Sequence, residues 1–244
     1  PILEEIFPYD TGNQIWGSPA AGYIDGDNTI DIAVTSKSKY LYILDQYGLK
    51  NSFNANQFLI GTPALGNLDE DENLEIVFGG YSTQAKIFAI NLDGSPVAGF
   101  PVILGEKMQK GFALYDFDGN NKDDIVLGTD SDNIYLVYDD GTIAENFPFT
   151  TGNKIRSAPS VIDDGNSKYI VAGSTDNSLY VINSDGSLKF VFESDDDIFT
   201  SPSFLNYSSD IFIFFASDNG TVYALDINGN IHDGFPIYTS SAIS

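Results

Sequence analysis

The sequence has no cysteine, which excludes a disulfide framework, a thiol nucleophile and thiolate metal ligands. Its one histidine, His232, sits beside a turn in Asn230-Ile-His-Asp-Gly234, a setting that fits a surface residue better than a general base. No Gly-x-Ser-x-Gly elbow presents a serine, and no Gly-x-x-x-x-Gly-Lys loop cradles phosphate. Basic residues are scarce, 11 against 35 acidic, for a net charge of −24. A field of that sign repels phosphate backbones and anionic headgroups, so nucleic acid is excluded as a partner. No apolar run approaches the roughly 18 residues that span a bilayer, so membrane insertion by a helix is excluded too.

What is present is sheet-forming. Hydrophobic residues make up 42% and aromatics 14% of 244 residues, mostly Phe and Tyr, so a folded core with strand preference is expected. The chain opens at Pro1 without a signal-peptide pattern, which predicts that it lies inside a longer gene product.

An internal repeat decides the fold class. Turn glycines recur in Tyr47-Gly48, Asp93-Gly94, Asp140-Gly141, Asp185-Gly186 and Asn228-Gly229, spaced by 46, 47, 45 and 43 residues. Each follows a short apolar strand, such as Tyr40-Leu-Tyr-Ile-Leu44 or Ile134-Tyr-Leu-Val-Tyr138. A Ser/Thr/Ala-Pro start marks four units, at Ser18-Pro19, Thr62-Pro63, Ala158-Pro159 and Ser201-Pro202. Phe-Pro recurs at Phe7-Pro8, Phe100-Pro101, Phe147-Pro148 and Phe235-Pro236. Inner strands such as Asp124-Ile-Val-Leu127 are continuous apolar runs, as when both faces are covered.

Four short strands per unit, with no helix, predict an all-β β-propeller of four-stranded antiparallel blades. The repeats run approximately over 18–60, 61–110, 111–156, 157–200 and 201–240, in a single domain 1–244. In the second, the strands are predicted at Thr62–Leu68, Leu74–Gly79, Lys86–Asn91 and Pro96–Ile103. Residues 1–17 look like the tail of a preceding blade, because Thr11-Gly-Asn-Gln-Ile15 parallels Thr151-Gly-Asn-Lys-Ile155. Either five blades close the ring, or the chain is a piece of a six- to eight-bladed one.

An acidic loop joins the first two strands in three repeats. Its fullest form is Asp116-Phe-Asp118-Gly-Asn120-Asn-Lys122-Asp-Asp124, with side-chain oxygens at positions 1, 3, 5 and 9. Ca²⁺ takes six to eight oxygen ligands, and a tight loop with alternate carboxylates or amides suits it. The second copy places Asn67, Asp69, Asp71 and Glu75 at those positions. The first has Asp25, Asp27 and Asp31, with Tyr23 where the first ligand would be. Up to three Ca²⁺ are expected, in repeats one to three. The shorter segments Asp163-Asp164-Gly165 and Asn206–Asp210 cannot reproduce the spacing, and no metal is predicted there.

The Ser-Pro-Ala opening, the Asp-x-Asp-x-Asn-x-x-x-Asp loop and the following Ile-Val-Leu-Gly strand resemble FG-GAP (VCBS-type) repeats. Such repeats form the propellers of integrin α-subunits and of large secreted bacterial proteins. The resemblance covers about residues 18–238 and implies Ca²⁺ held by side chains at positions 1, 3, 5 and 9 plus the carbonyl at position 7. It therefore adds the carbonyls of Thr29, Asn73 and Lys122 to the ligands above. Tyr23, Asn67 and Glu75 depart from the family pattern.

With no catalytic motif, the chain reads as a calcium-stabilised extracellular binding or adhesion module, secreted or at the cell surface, with a protein or carbohydrate ligand. The alternative is the propeller part of a Ca²⁺-dependent polysaccharide lyase or glycoside hydrolase. Trp16, Tyr23 and Tyr207 are candidate sugar-stacking platforms if they lie on the open face of the ring; otherwise they serve blade packing. The run Asp195-Asp-Asp197 reads as a solvated loop or cation-attracting lip rather than a catalytic cluster.

Overall fold

The computed structural model describes residues 7–208, 210–239 and 241. Among them there are strands and turns but no helix, arranged as five separate four-stranded antiparallel sheets in propeller-like blades. The first blade holds β1 (Ala20–Gly22), β2 (Asp31–Thr35), β3 (Tyr40–Asp45) and β4 (Gly48–Asn54). The second holds β5 (Ala64–Gly66), β6 (Glu75–Gly79), β7 (Lys86–Ile90) and β8 (Val102–Ile103). The third holds β9 (Ala113–Tyr115), β10 (Asp124–Gly128), β11 (Asn133–Val137) and β12 (Phe149–Thr150). The fourth holds β13 (Ser160–Asp163), β14 (Lys168–Gly173), β15 (Ser178–Asn183) and β16 (Leu188–Glu193). The fifth holds β17 (Ser203–Tyr207), β18 (Asp210–Ala216), β19 (Thr221–Asp226) and β20 (Ile237–Tyr238). In every blade the strands pair in chain order, which is what tight connections between successive antiparallel strands produce.

The expected inner strands of the second repeat are found within a residue, but its outer strands are shorter. The first of them stops at Gly66, where the chain leaves the ladder to form the acidic loop. The last begins only at Val102, because Val97–Phe100 is taken up by a turn closed by the Phe100 N–H on the Val97 carbonyl. The Phe100-Pro101 bond that follows is cis, as are Phe7-Pro8, Phe147-Pro148 and Phe235-Pro236.

Contacts divide the chain into two compact units, Pro1–Ile125 with Val137–Thr142, and Val126–Leu136 with Ile143–Ser244. In the first, blades one and two pack face to face through Leu41, Ile43, Ile76, Phe78 and Phe88. Phe78 and Phe88 stack at 5.0 Å, and Phe53 from β4 meets both edge-on at 5.8 and 5.6 Å. In the second unit, blades four and five repeat this arrangement with Phe215 stacked on Tyr223 at 5.0 Å and Phe192 edge-on to both. Both faces of β6 and β10 are buried throughout, which explains their unbroken apolar runs. Each such side chain contributes about 1.5–3 kcal/mol on burial.

The segment before the first blade makes the same local hydrogen bonds as the parallel segment 151–155. Thr11 Oγ1 donates to the Asn13 carbonyl and the Gln14 carbonyl accepts from Lys37 N–H, just as Thr151 donates to Asn153 and Lys154 accepts from Thr175. Residues 1–6, 240 and 242–244, on which the closure expectations also bear, lie outside the described residues.

Candidate metal centres

The acidic loops lie between the first and second strands of blades one to three. Their backbone is shaped by short polar residues accepting from amides two positions on: Asp27 N–H donates to Asp25 Oδ1, Asp71 N–H to Asp69 Oδ1, and Asn120 N–H to Asp118 Oδ1. Loops one and three turn through positive φ at Gly26 and Asn28, and at Gly119 and Asn121. Loop two has Glu70 and Glu72 at those places and neither takes positive φ, since a glutamate gains no local bond that offsets the steric cost.

All three loops anchor the ninth-position acid in the same way. Asp31, Glu75 and Asp124 are completely buried at the start of an inner strand. Each gives one carboxylate oxygen to the backbone N–H of the loop's second residue: Asp31 Oδ2 to Ile24 at 3.3 Å, Glu75 Oε2 to Leu68 at 2.6 Å, and Asp124 Oδ2 to Phe117 at 2.7 Å.

The other oxygen distinguishes the loops. Asp31 Oδ1 lies 2.9 Å from Lys50 Nζ, and Asp124 Oδ1 accepts from Asp139 N–H at 3.1 Å. Glu75 Oε1 has no partner, and neither does the buried Oδ1 of Asn67. A buried polar atom without a partner costs about 1–3 kcal/mol, more when it is charged. Two such atoms in one loop mark a place built for a donor or a cation.

Ligand atoms of Asp69, Asp71 and Glu75 lie within 4.8 Å of one another, as do those of Asp116, Asp118 and Asp124. The residues of loops two and three thus fit a small hard cation. Lys50 instead reaches Asp25 Oδ2 at 2.8 Å and Asp27 Oδ2 at 3.5 Å, and Asp31 as above, so the first loop departs from the expected metal site. Thr29 there donates its N–H to Asp27 Oδ1; the Thr29 side chain first, then this amide and the Lys50 charge, hold the Asp27 carboxyl below its ordinary value.

The electrostatics follow burial. Burial pushes Glu75 up to about 7, aided by the charges of Asp69 and Asp71 and opposed by the Leu68 amide. Burial likewise raises Asp124 to about 6, with the Phe117 and Asp139 amides opposing. A cation in either loop would reverse both shifts, because an opposite charge favours the ionised carboxylate.

Several participants carried no local signal. Asp139, from the hairpin after β11, accepts from the Asn120 side-chain amide at 2.9 Å and pairs with Lys122 at 3.3 Å. Asp123 clamps loops two and three together: its N–H donates to the Asn67 carbonyl at 2.6 Å and its Oδ2 accepts from Asn67 N–H at 3.0 Å. A Cβ on Gly66 would stand 2.6 Å from that Oδ2 and from Leu114 Cδ1, so a larger residue there would have to displace the Asp123 side chain. The Leu74 N–H donates to the Ile24 carbonyl, so the first loop joins the same chain of contacts.

In blade four, Asp163 and Asp164 accept from Gly165, Asn166 and Ser167, closing an ordinary turn. Asp195 is a structural acceptor rather than a free lip: it accepts hydrogen bonds from the hydroxyls of Ser217, Thr221 and Tyr223 at 2.7–2.8 Å. Burial opposes its charge, yet those bonds hold it well below the usual carboxylate range. Trp16, Tyr23 and Tyr207 are exposed, with Lys37 Nζ 4.4 Å from the Trp16 ring. His232 is also exposed and lies against Phe212 at 4.7 Å.

A family model of the lambda-carrageenase β-propeller domain matches residues 76–201, just over half of the chain and spanning the third loop. The chain belongs to the lambda-carrageenase β-propeller domain family. No curated protein matches this carrageenase-type propeller. It is similar to BBS1N in its complex with ARL6DN, at 13% identity and a TM-score of 0.67, over 95% of this chain and 71% of that one. It is similar also to Sqt1 of Saccharomyces cerevisiae, at 16% identity and a TM-score of 0.67 over 87% and 59% of the two chains. BamB from Moraxella catarrhalis aligns at 16% identity and a TM-score of 0.55 over 96% and 77%. At such identities the likeness is one of fold.

Proposed function

We propose that this carrageenase-type propeller is a calcium-stabilised binding module of a larger exported protein, secreted or at the cell surface, with a protein or carbohydrate ligand. The observation that carries the metal reading is the Glu75 carboxylate, completely buried beside Asp69 and Asp71 with Oε1 unpartnered. Asn67, Asp69, Asp71 and Glu75, with the Asn73 carbonyl, hold one ion; Asp116, Asp118, Asn120 and Asp124, with the Lys122 carbonyl, hold another. The spacing is that of the FG-GAP-type loop. The bound ion supplies positive charge to three converging carboxylates, and its work is structural.

Calcium is the choice because the donors are all oxygens and no cysteine or histidine lies among them. Binding to the native state alone stabilises it by mass action, by about 2.7 kcal/mol at a hundredfold excess over Kd. Scanning calorimetry of the protein in EGTA and in millimolar calcium tests this. The melting temperature is expected to fall on chelation, and an unchanged one overturns the proposal.

The family match favours a second reading, the propeller part of a polysaccharide-cleaving enzyme. On this reading the propeller contributes glycan binding, and the cleaving groups belong to another part of the enzyme. The exposed rings of Trp16, Tyr23 and Tyr207 support glycan contact. A net charge of −24 opposes capture of a sulfated polyanion and favours neutral glycans or proteins. A glycan array combined with a reducing-end assay separates the readings: retention without cleavage supports the binding module, and cleavage by this chain alone overturns it.

A further inference from the structure

The first and second loops differ at one oxygen. In each, the ninth-position acid is completely buried and gives one oxygen to a loop amide. In the second loop its other oxygen has no partner. In the first, that oxygen is 2.9 Å from Lys50 Nζ, which also lies 2.8 Å from Asp25 and 3.5 Å from Asp27. One positive charge therefore stands among the acids at positions 3, 5 and 9.

Lys50 reaches that point through a local irregularity of β4. Leu44 pairs with Leu49 and Ile43 with Asn51, which leaves Lys50 as the extra residue of a bulge. Bulges re-aim a side chain out of the regular alternation. The other hairpins carry an equivalent position. Pro96 bridges Ile90 and Ile231 bridges Leu225, so the residues that follow are Val97 and His232. Leu188 pairs with Ile182, so the next residue is Lys189, again at a register shift. In the third hairpin it is Ala144, whose N–H bonds the Leu136 carbonyl as Val97 bonds Ala89. Loops two and three have an oxygen ligand at position 1, and at this hairpin position their blades have alanine or valine. Loop one has Tyr23 at position 1, and its blade has lysine.

We propose that the first loop is a self-occupied cation site, in which the Lys50 ammonium stands where a divalent ion stands in loops two and three. The comparison with those loops rests on the metal reading above; the assignment of Lys50 does not. An ammonium tethered to the chain holds the first loop at any ambient calcium concentration, so this blade needs no metal. Removing the lysine leaves three carboxylates converging on an uncompensated point and opens it to a divalent ion.

The test counts calcium ions bound per chain, by native mass spectrometry and equilibrium dialysis in millimolar calcium, for wild type and Lys50→Gln. Lys50→Gln is expected to bind one ion more than wild type, and Asp25→Asn in the Lys50→Gln background to remove it. Equal counts overturn the inference. A wild type with no bound calcium beside a Lys50→Gln protein with one would overturn the metal reading of loops two and three and support the role of Lys50. Should Lys50→Gln fail to fold, Asp27→Asn in the wild-type chain keeps the test open, since Asp27 is exposed. It is expected to leave the ion count unchanged, and loss of one ion overturns the inference.

Discussion

Blades one and two pack through Phe53, Phe78 and Phe88, and blades four and five through Phe192, Phe215 and Tyr223, with matching separations and tilts. Their hairpins between first and second strands have little in common. In the first pair the loop turns carboxylates inward, against Lys50 or an unpartnered Glu75 oxygen. In blade four, Asp163 and Asp164 are satisfied by the loop's own amides. The comparison teaches that blade packing and loop chemistry are separable. The same aromatic seam recurs where two sheets meet, while the hairpin converges its carboxylates on a lysine, leaves a buried oxygen unpartnered or closes on its own amides.

The sharpest way to break this comparison is at the seam. Phe78→Ala and Phe215→Ala should each cost about 3–5 kcal/mol, because both create a cavity where a ring was fully packed. Urea unfolding monitored by tyrosine fluorescence measures this. A large loss in only one of the two would show that the seams are not equivalent.

The loops should respond in the opposite pattern. If loops two and three hold calcium as proposed, Asp118→Ala should abolish roughly half of the calcium-dependent rise in melting temperature, a loss on the order of 2 kcal/mol at saturating calcium. Asp164→Ala should leave that rise intact. Calorimetry with and without calcium checks both, and equal effects from the two variants would remove the distinction between the blades.

The pH response sharpens it further. In protein stripped of metal on a chelating resin, Glu75 sits near 7 instead of 4.5 and Asp124 near 6 instead of 3.8. The folded state thus binds these protons more tightly than the unfolded chain does. Their stabilisation is complete below the unfolded values and is lost as pH rises through about 6 and then about 7. Metal-free protein should gain on the order of 1–2 kcal/mol between about pH 7.5 and 5.5, and Glu75→Gln should flatten most of that gain. With calcium present, protons compete with the ion, so the increment that calcium adds to the melting temperature should shrink over the same range. Denaturation midpoints across the range test the sign.

The smallest effect concerns Asp195. Its hydroxyl donors keep it ionised in the folded state, so its contribution should persist above the ordinary carboxylate value and fall away only in acid. Asp195→Asn should therefore lower the melting temperature slightly at neutral pH and less at low pH.

The sequence by itself determined the blades and the loops, because both are local. Turn glycines about every 45 residues, apolar runs of strand length and alternate acids in a nine-residue hairpin all act over a few neighbouring residues. Only the tertiary structure decided what the carboxylates meet. Lys50 lies 19 positions from Asp31, Asp139 lies 15 from Asp124, and Asp123 lies 56 from Asn67, so no window on the chain brings them together. Whether a buried oxygen is satisfied by an ammonium, by an amide or by no group of the chain depends on which strand passes beside it. That is a property of packing and of one bulge, and spacing along the chain does not carry it.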